Sequence, residues 1–180
     1  MAYSEDHLGV DCGADAGPLT WRERLATALP WWSAGGAVLL LDFGSKHLVR
    51  ERLVEGDILA LAPFFNLVFF RNSGAAFSLL ADAGGWQRYF FVCLAALVAL
   101  TLSYLLTLKH DRTESFAYSM ILGGALGNAL DRLAFGPVTD FLDLHWAGWH
   151  WPAFNIADIG IVVGAACLFA RALRASANDA

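Results

Sequence analysis

The chain has 180 residues, 57% of them hydrophobic and 16% charged, with a mean hydropathy of +0.50, a balance too apolar for an ordinary soluble domain of this size. Its net charge of -5, with Glu5, Asp6, Asp11 and Asp15 ahead of any apolar run, argues against nucleic acid as a partner. Three cysteines, Cys12, Cys93 and Cys167, are too few and too scattered for a disulfide framework, and the last two read as small hydrophobes packed inside apolar spans.

Residues 1–28 lack the basic start and short apolar core of a secretory signal and read as a loosely ordered tail. The first apolar run begins near Pro30, passes through Leu39-Leu40-Leu41 to about Val49, and is interrupted by Asp42 and Lys46. The insert 50–88 is too long for a tight turn and too apolar for a plain solvent loop. Within it, 58–70, broken by Pro63, predicts one or two short strands, Asn72-Ser73-Gly74 a turn, and 75–80 a returning strand. Gly84-Gly85 ends that element, and Trp86 and Tyr89 mark a membrane interface. The second run, 89–108, carries no charge; the third, 116–135, holds Asn128, Asp131 and Arg132 in its second half; the fourth, 156–173, has Asp158 near its start. Each approaches the roughly 20 residues that an α-helix needs to cross a bilayer core. The expected fold is an all-α membrane protein of four transmembrane helices, residues 29–175, with a small β-sheet from the insert resting on the bilayer surface and a short tail at 176–180.

An even number of spans places both termini on one side. Arg22, Arg24, Lys109, Arg112, Arg171 and Arg174 then share that side, against Lys46, Arg50, Arg52, Arg71, Arg88 and Arg132 on the other. The two sets are equal in number, but the first flanks the spans more closely, which favours cytoplasmic termini.

Gly124, Asn128, Asp131 and Arg132 fall on one helical face, which must turn toward the bundle interior or a wet cavity. Asp131 and Arg132 are adjacent, so each must find its partner on another segment, and they read first as bundle glue. Gly123 with Gly127, and Gly160 with Gly164, form G-x-x-x-G patterns for close helix packing. Asp140 lies just past the third run and Asp158 at the start of the fourth, both at the same membrane face. Between them 136–155, with His145, Trp146, Trp149, His150 and Trp151, reads as an interfacial loop. If it doubles back, the two carboxylates meet. Facing carboxylates share one proton and can act as base and acid on a single water, hydrolysing an amide without a metal or a covalent intermediate. Asn155 is placed to cap the fourth helix with Asp158 at its N3 position, which favours Asp158 as base and Asp140 as acid, although a coupled pair titrates as a unit and the sequence leaves the assignment open. Two rival chemistries are weaker. Ser45 and Lys46 are adjacent and point apart on a helix, and His145 with His150 offers neither a helical pair nor a cysteine for zinc. A four-span carrier or assembly factor, using buried Asp and Arg as an ion or proton path, is the non-enzymatic alternative.

Five segments in order, Leu41-Asp42-Phe43-Gly44-Ser45-Lys46, Asn72-Ser73-Gly74-Ala75-Ala76-Phe77-Ser78, Gly123-Gly124-Ala125-Leu126-Gly127-Asn128-Ala129-Leu130-Asp131-Arg132, Val138-Thr139-Asp140-Phe141 and Pro152-Ala153-Phe154-Asn155-Ile156-Ala157-Asp158, together resemble the lipoprotein signal peptidase (signal peptidase II) family. The resemblance implies a monomeric bacterial inner-membrane aspartic peptidase with cytoplasmic termini, four helices and an extracytoplasmic β-cradle, working without cofactor or metal. Its implied substrate is a diacylglyceryl-modified prolipoprotein cut before the lipidated cysteine, with membrane lipid as the surroundings. Asp140 and Asp158 match the catalytic pair. Asn72, Gly74, Asn128, Arg132 and Asn155 match positions that line or brace the site, and Asp42 with Lys46 matches a support near the cradle. Phe43 departs from the Gln usual after the first-span Asp.

Overall fold

The computed structural model describes residues 19–74 and 84–178. These form α1 (Trp21–Arg52), β1 (Ile58–Ala62), β2 (Phe65–Asn72), α2 (Trp86–Leu106), α3 (Arg112–Phe135), β3 (Val138–Trp146), β4 (Trp149–His150) and α4 (Ile156–Asn178). The fold is mostly helical, with one four-stranded sheet in the order β1-β2-β3-β4, antiparallel at every pairing.

Helix α1 starts at Trp21, ahead of the boundary expected at residue 29, because Thr20 and Glu23 form a capping box. The Thr20 N–H donates to the Glu23 carboxylate at 2.8 Å, and the Glu23 N–H donates back to the Thr20 hydroxyl at 3.4 Å. Two of the free donors at the helix start are thereby satisfied. Pro30 sits inside α1 without ending it. Asp111 caps α3 by a single bond, its carboxylate accepting the Glu114 N–H at 2.9 Å.

The stretch expected as an interfacial loop is largely β-structure. β3 pairs with β2 from Phe65↔Leu144 to Asn72↔Val138, and turns back into β4 through His145↔His150. It escaped a sequence reading because Val138, Thr139, Asp140 and Phe141 are all buried, so the apolar–polar alternation of a half-exposed strand is missing. The strands expected in 58–70 are present as β1 and β2, while the strand expected at 75–80 lies outside the described residues.

By length and composition, two helices can cross a membrane, α2 and the stretch Ile156–Ala177 of α4. The four spans expected from the apolar runs are therefore two by this measure, because α1 and α3 carry Asp42, Lys46, Arg50, Asp131 and Arg132. Those charges are turned inward. Asp42 and Lys46 are 0% exposed and Asp131 is 2% exposed, whereas Leu40, Leu97, Leu100, Val162 and Phe169 face outward. Charge inside and hydrocarbon outside is the distribution that a lipid solvent favours. Cys167 is half-buried but Cys93 is exposed on α2, so the expectation of interior packing fails for Cys93.

Helix α3 packs against each of the other three helices. Its glycines permit this. A Cβ on Gly123 would strike the Gly35 carbonyl and Val38 of α1, and one on Gly124 would strike the Ala157 carbonyl and Ile161 of α4. Gly160 and Gly164 face the Met120 and Ala117 carbonyls of α3 with the same effect, so the G-x-x-x-G patterns do mark close backbone approach. Replacing Gly124 by Val is expected to push α4 off α3 and to cost about 1–3 kcal/mol of stability. A fall in the thermal unfolding midpoint in detergent micelles measures it; an unchanged midpoint would show that the helices have room to spare.

Candidate active site

A polar ladder runs through the bundle beneath the sheet. The Asp42 carboxylate pairs with Lys46 Nζ at 2.7 Å and accepts the Ala157 N–H, in the first turn of α4, at 2.8 Å. A carboxylate from α1 thus meets the positive end of the α4 dipole. Gly127 leaves the room for it, since a side chain there would overlap the Asp42 carboxylate. Lys46 Nζ also donates to Asn128 Oδ1 at 2.9 Å, and Asn128 Nδ2 donates to Asp158 Oδ1 at 2.8 Å.

Asp158 and Asn155 cap α4 reciprocally. The Asp158 N–H donates to Asn155 Oδ1 at 3.0 Å, and the Asn155 N–H donates to Asp158 Oδ2 at 3.2 Å, which is the cap expected from their spacing. Asp140 reaches the same place from β3. Its Oδ2 accepts from Asn72 Nδ2 at 3.1 Å and its Oδ1 from Asn155 Nδ2 at 2.7 Å. Fully buried Asn155 therefore touches both acids. The Asp140 pKa is pushed up to about 7, first by burial and next by the negative charge of Asp158, against the hydrogen bonds from Asn72 and Asn155.

Both acids line a cleft of about 1150 Å³ together with Asn72, Gly74, Asn128 and Arg132. Arg132 closes one wall. Its Nη2 donates to the Gly74 carbonyl at 2.7 Å, its Nη1 to the Asn128 carbonyl at 3.3 Å, and its guanidinium lies 4.8 Å from the Phe91 ring centroid. The Gly74 N–H donates to Asn72 Oδ1 at 3.0 Å, so the turn between Asn72 and Gly74 is tied on itself and onto α3. Apolar lining comes from Ile159, Val162 and Val163 of α4 and from Phe70, Leu144 and Phe154.

The structure thus brings Asp140, Asp158, Asn72, Gly74, Asn128 and Arg132 to one cleft, with Asn155 behind the two acids. Asp42 and Lys46 brace α4 and Asn128, and Lys46 also stands 3.5 Å from Asp131, whose carboxylate accepts the Thr139 N–H of β3. Asp131 and Arg132 each find partners on other segments, as their adjacency required. Phe43 faces outward and is not part of the cleft lining, so the departure at that position leaves the polar site intact. Sequence reasoning passed over Arg50 and Thr139, which meet at 2.9 Å. A signal existed for Arg50, since Asp42, Lys46 and Arg50 follow one another at i+4 on one helical face. His150 Nδ1 lies 3.0 Å from both oxygens of Asp143, and Asn66 Nδ2 donates to Asp143 at 2.7 Å, which fastens the β3–β4 hairpin to β2.

Residues 35–174 match the family model described as signal peptidase (SPase) II. Over 133 residues the chain is 48% identical to a lipoprotein signal peptidase of Serratia marcescens, covering 74% of this chain and 78% of that one. Over 146 residues it is 49% identical to one from Burkholderia mallei (strain SAVP1), covering 81% and 88%. A bacterial membrane enzyme solved by the in meso method at 2.3 Å resolution superposes with a TM-score of 0.76 at 28% identity, covering 87% of this chain and 93% of that one.

Proposed function

The chain belongs to the signal peptidase II family, and on that premise we propose that it removes signal peptides from lipoprotein precursors by aspartic catalysis at Asp140 and Asp158. The observation that carries this reading is the pair of carboxylates bridged by one buried Asn155 in one cleft. Asp158, with Asn128 and the Asn155 N–H donating to its oxygens at the positive end of α4, serves as the carboxylate base. Asp140, with its raised pKa, carries the proton. A water held between them gives one proton to Asp158 as its oxygen attacks the scissile carbonyl carbon. Asp140 donates its proton to the carbonyl oxygen, forming a neutral tetrahedral diol. Collapse returns that proton to Asp140, while the departing amine takes the proton held by Asp158, and both acids end as they began.

The cleft joins a polar group of side chains, Asn72, Asn128, Arg132 and the two acids, to an apolar lining that includes Phe70, Leu144, Phe154, Ile159 and Val162. That division suits a substrate whose scissile amide adjoins a lipid chain: a diacylglyceryl-modified cysteine, with the cut on its N-terminal side. The inward-turned charges of α1 and α3 support all four helices as membrane spans; membership of the family supports a monomeric inner-membrane enzyme with cytoplasmic termini and the acid pair at the outer face. The purified chain in micelles, given a prolipoprotein with a diacylglyceryl-modified cysteine and the same precursor with a free cysteine, is expected to cleave only the first. Mass spectrometry should place the new N-terminus at that cysteine. Equal cleavage of both precursors would overturn the lipid requirement, and cleavage of neither would overturn the peptidase reading.

A further inference from the structure

Thr139, the residue before Asp140, is held at all three of its polar groups. Its N–H donates to Asp131 Oδ2 at 2.9 Å, its hydroxyl accepts from Arg50 Nη1 at 2.9 Å, and its carbonyl accepts from Asn155 Nδ2 at 3.4 Å. Arg50 and Asp131 are themselves paired at 3.0 Å, and Lys46 stands 3.5 Å from the other oxygen of Asp131. Arg50 also lies over the Phe135 ring, 4.3 Å from its centroid, which fixes the direction of its guanidinium. An ion pair serving only to join α1 to α3 could sit at any height in the bundle. This one ends on the backbone of a third element, one residue from the proton-carrying acid.

The φ and ψ angles at Thr139 set where the Asp140 side chain starts. Without the clamp, the start of β3 is held by Asn155 and by its ladder to β2, which shifts register between Leu67 and Phe70. We propose that Arg50 and Asp131 are positioning residues for peptide cleavage, gripping Thr139 so that β3 delivers the Asp140 carboxyl to Asp158 across Asn155. The proposal rests on the aspartic reading above. The charged groups facing Asp140 are Asp158 from α4, Lys46 from α1 and Arg132 from α3, and β2 contributes the neutral Asn72.

The test compares Asp131→Asn, Thr139→Val and Thr139→Ser, with Asp140→Asn as a control, using kcat, KM and the pH–rate profile on the lipidated precursor. Loss of positioning of the order of 1 Å is worth roughly a hundredfold in rate, so Asp131→Asn and Thr139→Val should lower kcat on the order of tenfold to a hundredfold with KM little changed. Thr139→Ser, which keeps the hydroxyl, should stay near the parent. As Asp140 drifts from Asp158, the high-pH limb should move to lower pH. Thr139→Val is decisive there, because it changes no charge and keeps the shape of the side chain. It also decides the matter if Asp131→Asn fails to fold. A folded Thr139→Val enzyme with parental kcat, or with a lower kcat and an unmoved pH limb, overturns the proposal. If Asp140→Asn is inactive while Thr139→Val behaves as the parent, only the clamp is wrong; if Asp140→Asn cleaves normally, the aspartic reading itself fails.

Discussion

Asp140→Asn and Asp158→Asn should each abolish cleavage of a lipidated precursor, with a loss on the order of 10²–10⁴-fold or more, the range for removing a general acid or base. Asn keeps the size of the side chain, so the cleft should survive. At 158 the amide cannot take a proton from water, and at 140 it cannot give one to the carbonyl oxygen. Single-turnover conversion of precursor in micelles is the measurement, and parental rates in either variant would remove the pair from the chemistry. In the parent, activity should fall as the pH rises through about 7, where Asp140 loses its proton. The same pKa carries a stability consequence. Because the folded value lies above the unfolded one, the folded state binds more protons between about pH 4 and pH 7, and stability declines as pH rises across that window. Asp140→Asn escapes this cost. It should melt above the parent at pH 8, with the difference closing as the pH falls toward 4. A melting difference that is the same at both pH values would show that Asp140 is not protonated in the folded enzyme near neutrality.

Lys46→Met should be among the most destabilising single substitutions in the chain. Lys46 is 0% exposed, pairs with Asp42 at 2.7 Å, donates to Asn128 at 2.9 Å and lies 3.5 Å from Asp131. Met fills much the same volume, so packing changes little. The cost is electrostatic: Asp42, also 0% exposed, is left as a buried carboxylate whose remaining donor among the described residues is the Ala157 N–H. Breaking one side of such a pair costs about 3–5 kcal/mol, whereas replacing both members with apolar groups is often close to neutral. Asp42→Leu combined with Lys46→Met should therefore melt above Lys46→Met alone, although Asn128 in both loses the closer of the two donors to its Oδ1, Asn155 remaining at 3.2 Å, and cleavage should stay low. If the double variant melts below both single ones, the two residues do not act as a pair. Thermal midpoints of the four proteins at one pH give the answer.

The helices were legible because their signals are local. Asn155 with Asp158 caps α4 within one helical turn, as their spacing predicts, whereas the Thr20–Glu23 box went unread and α1 starts ahead of the expected residue 29. The inward face of α3 could be read in the same way, since Gly124, Asn128, Asp131 and Arg132 follow the helical period and a charge cannot face hydrocarbon cheaply. Asp140 and Asp158 were legible as two acids at one end of the chain's apolar runs, and the ordered motifs raised them above other buried carboxylates.

What joins those parts was decided by tertiary structure. The first half of β3 carries no strand pattern, because both its faces are covered there, and the polar residues of the strand find partners far along the chain: Thr139 with Arg50, Asp140 with Asn72, and Asp143 with Asn66. Asp42 reaches the Ala157 N–H across 115 residues. Periodicity reports which face of an element turns inward, but not what it meets there. The sequence by itself determined that four helical runs are present, which face of α3 is polar and which acids are available; only the packing of α1, α3, α4 and β3 against one another decided that Asn155 bridges the two acids and that Thr139 is clamped beside them, because hydrogen bonds between distant segments leave no local pattern to read.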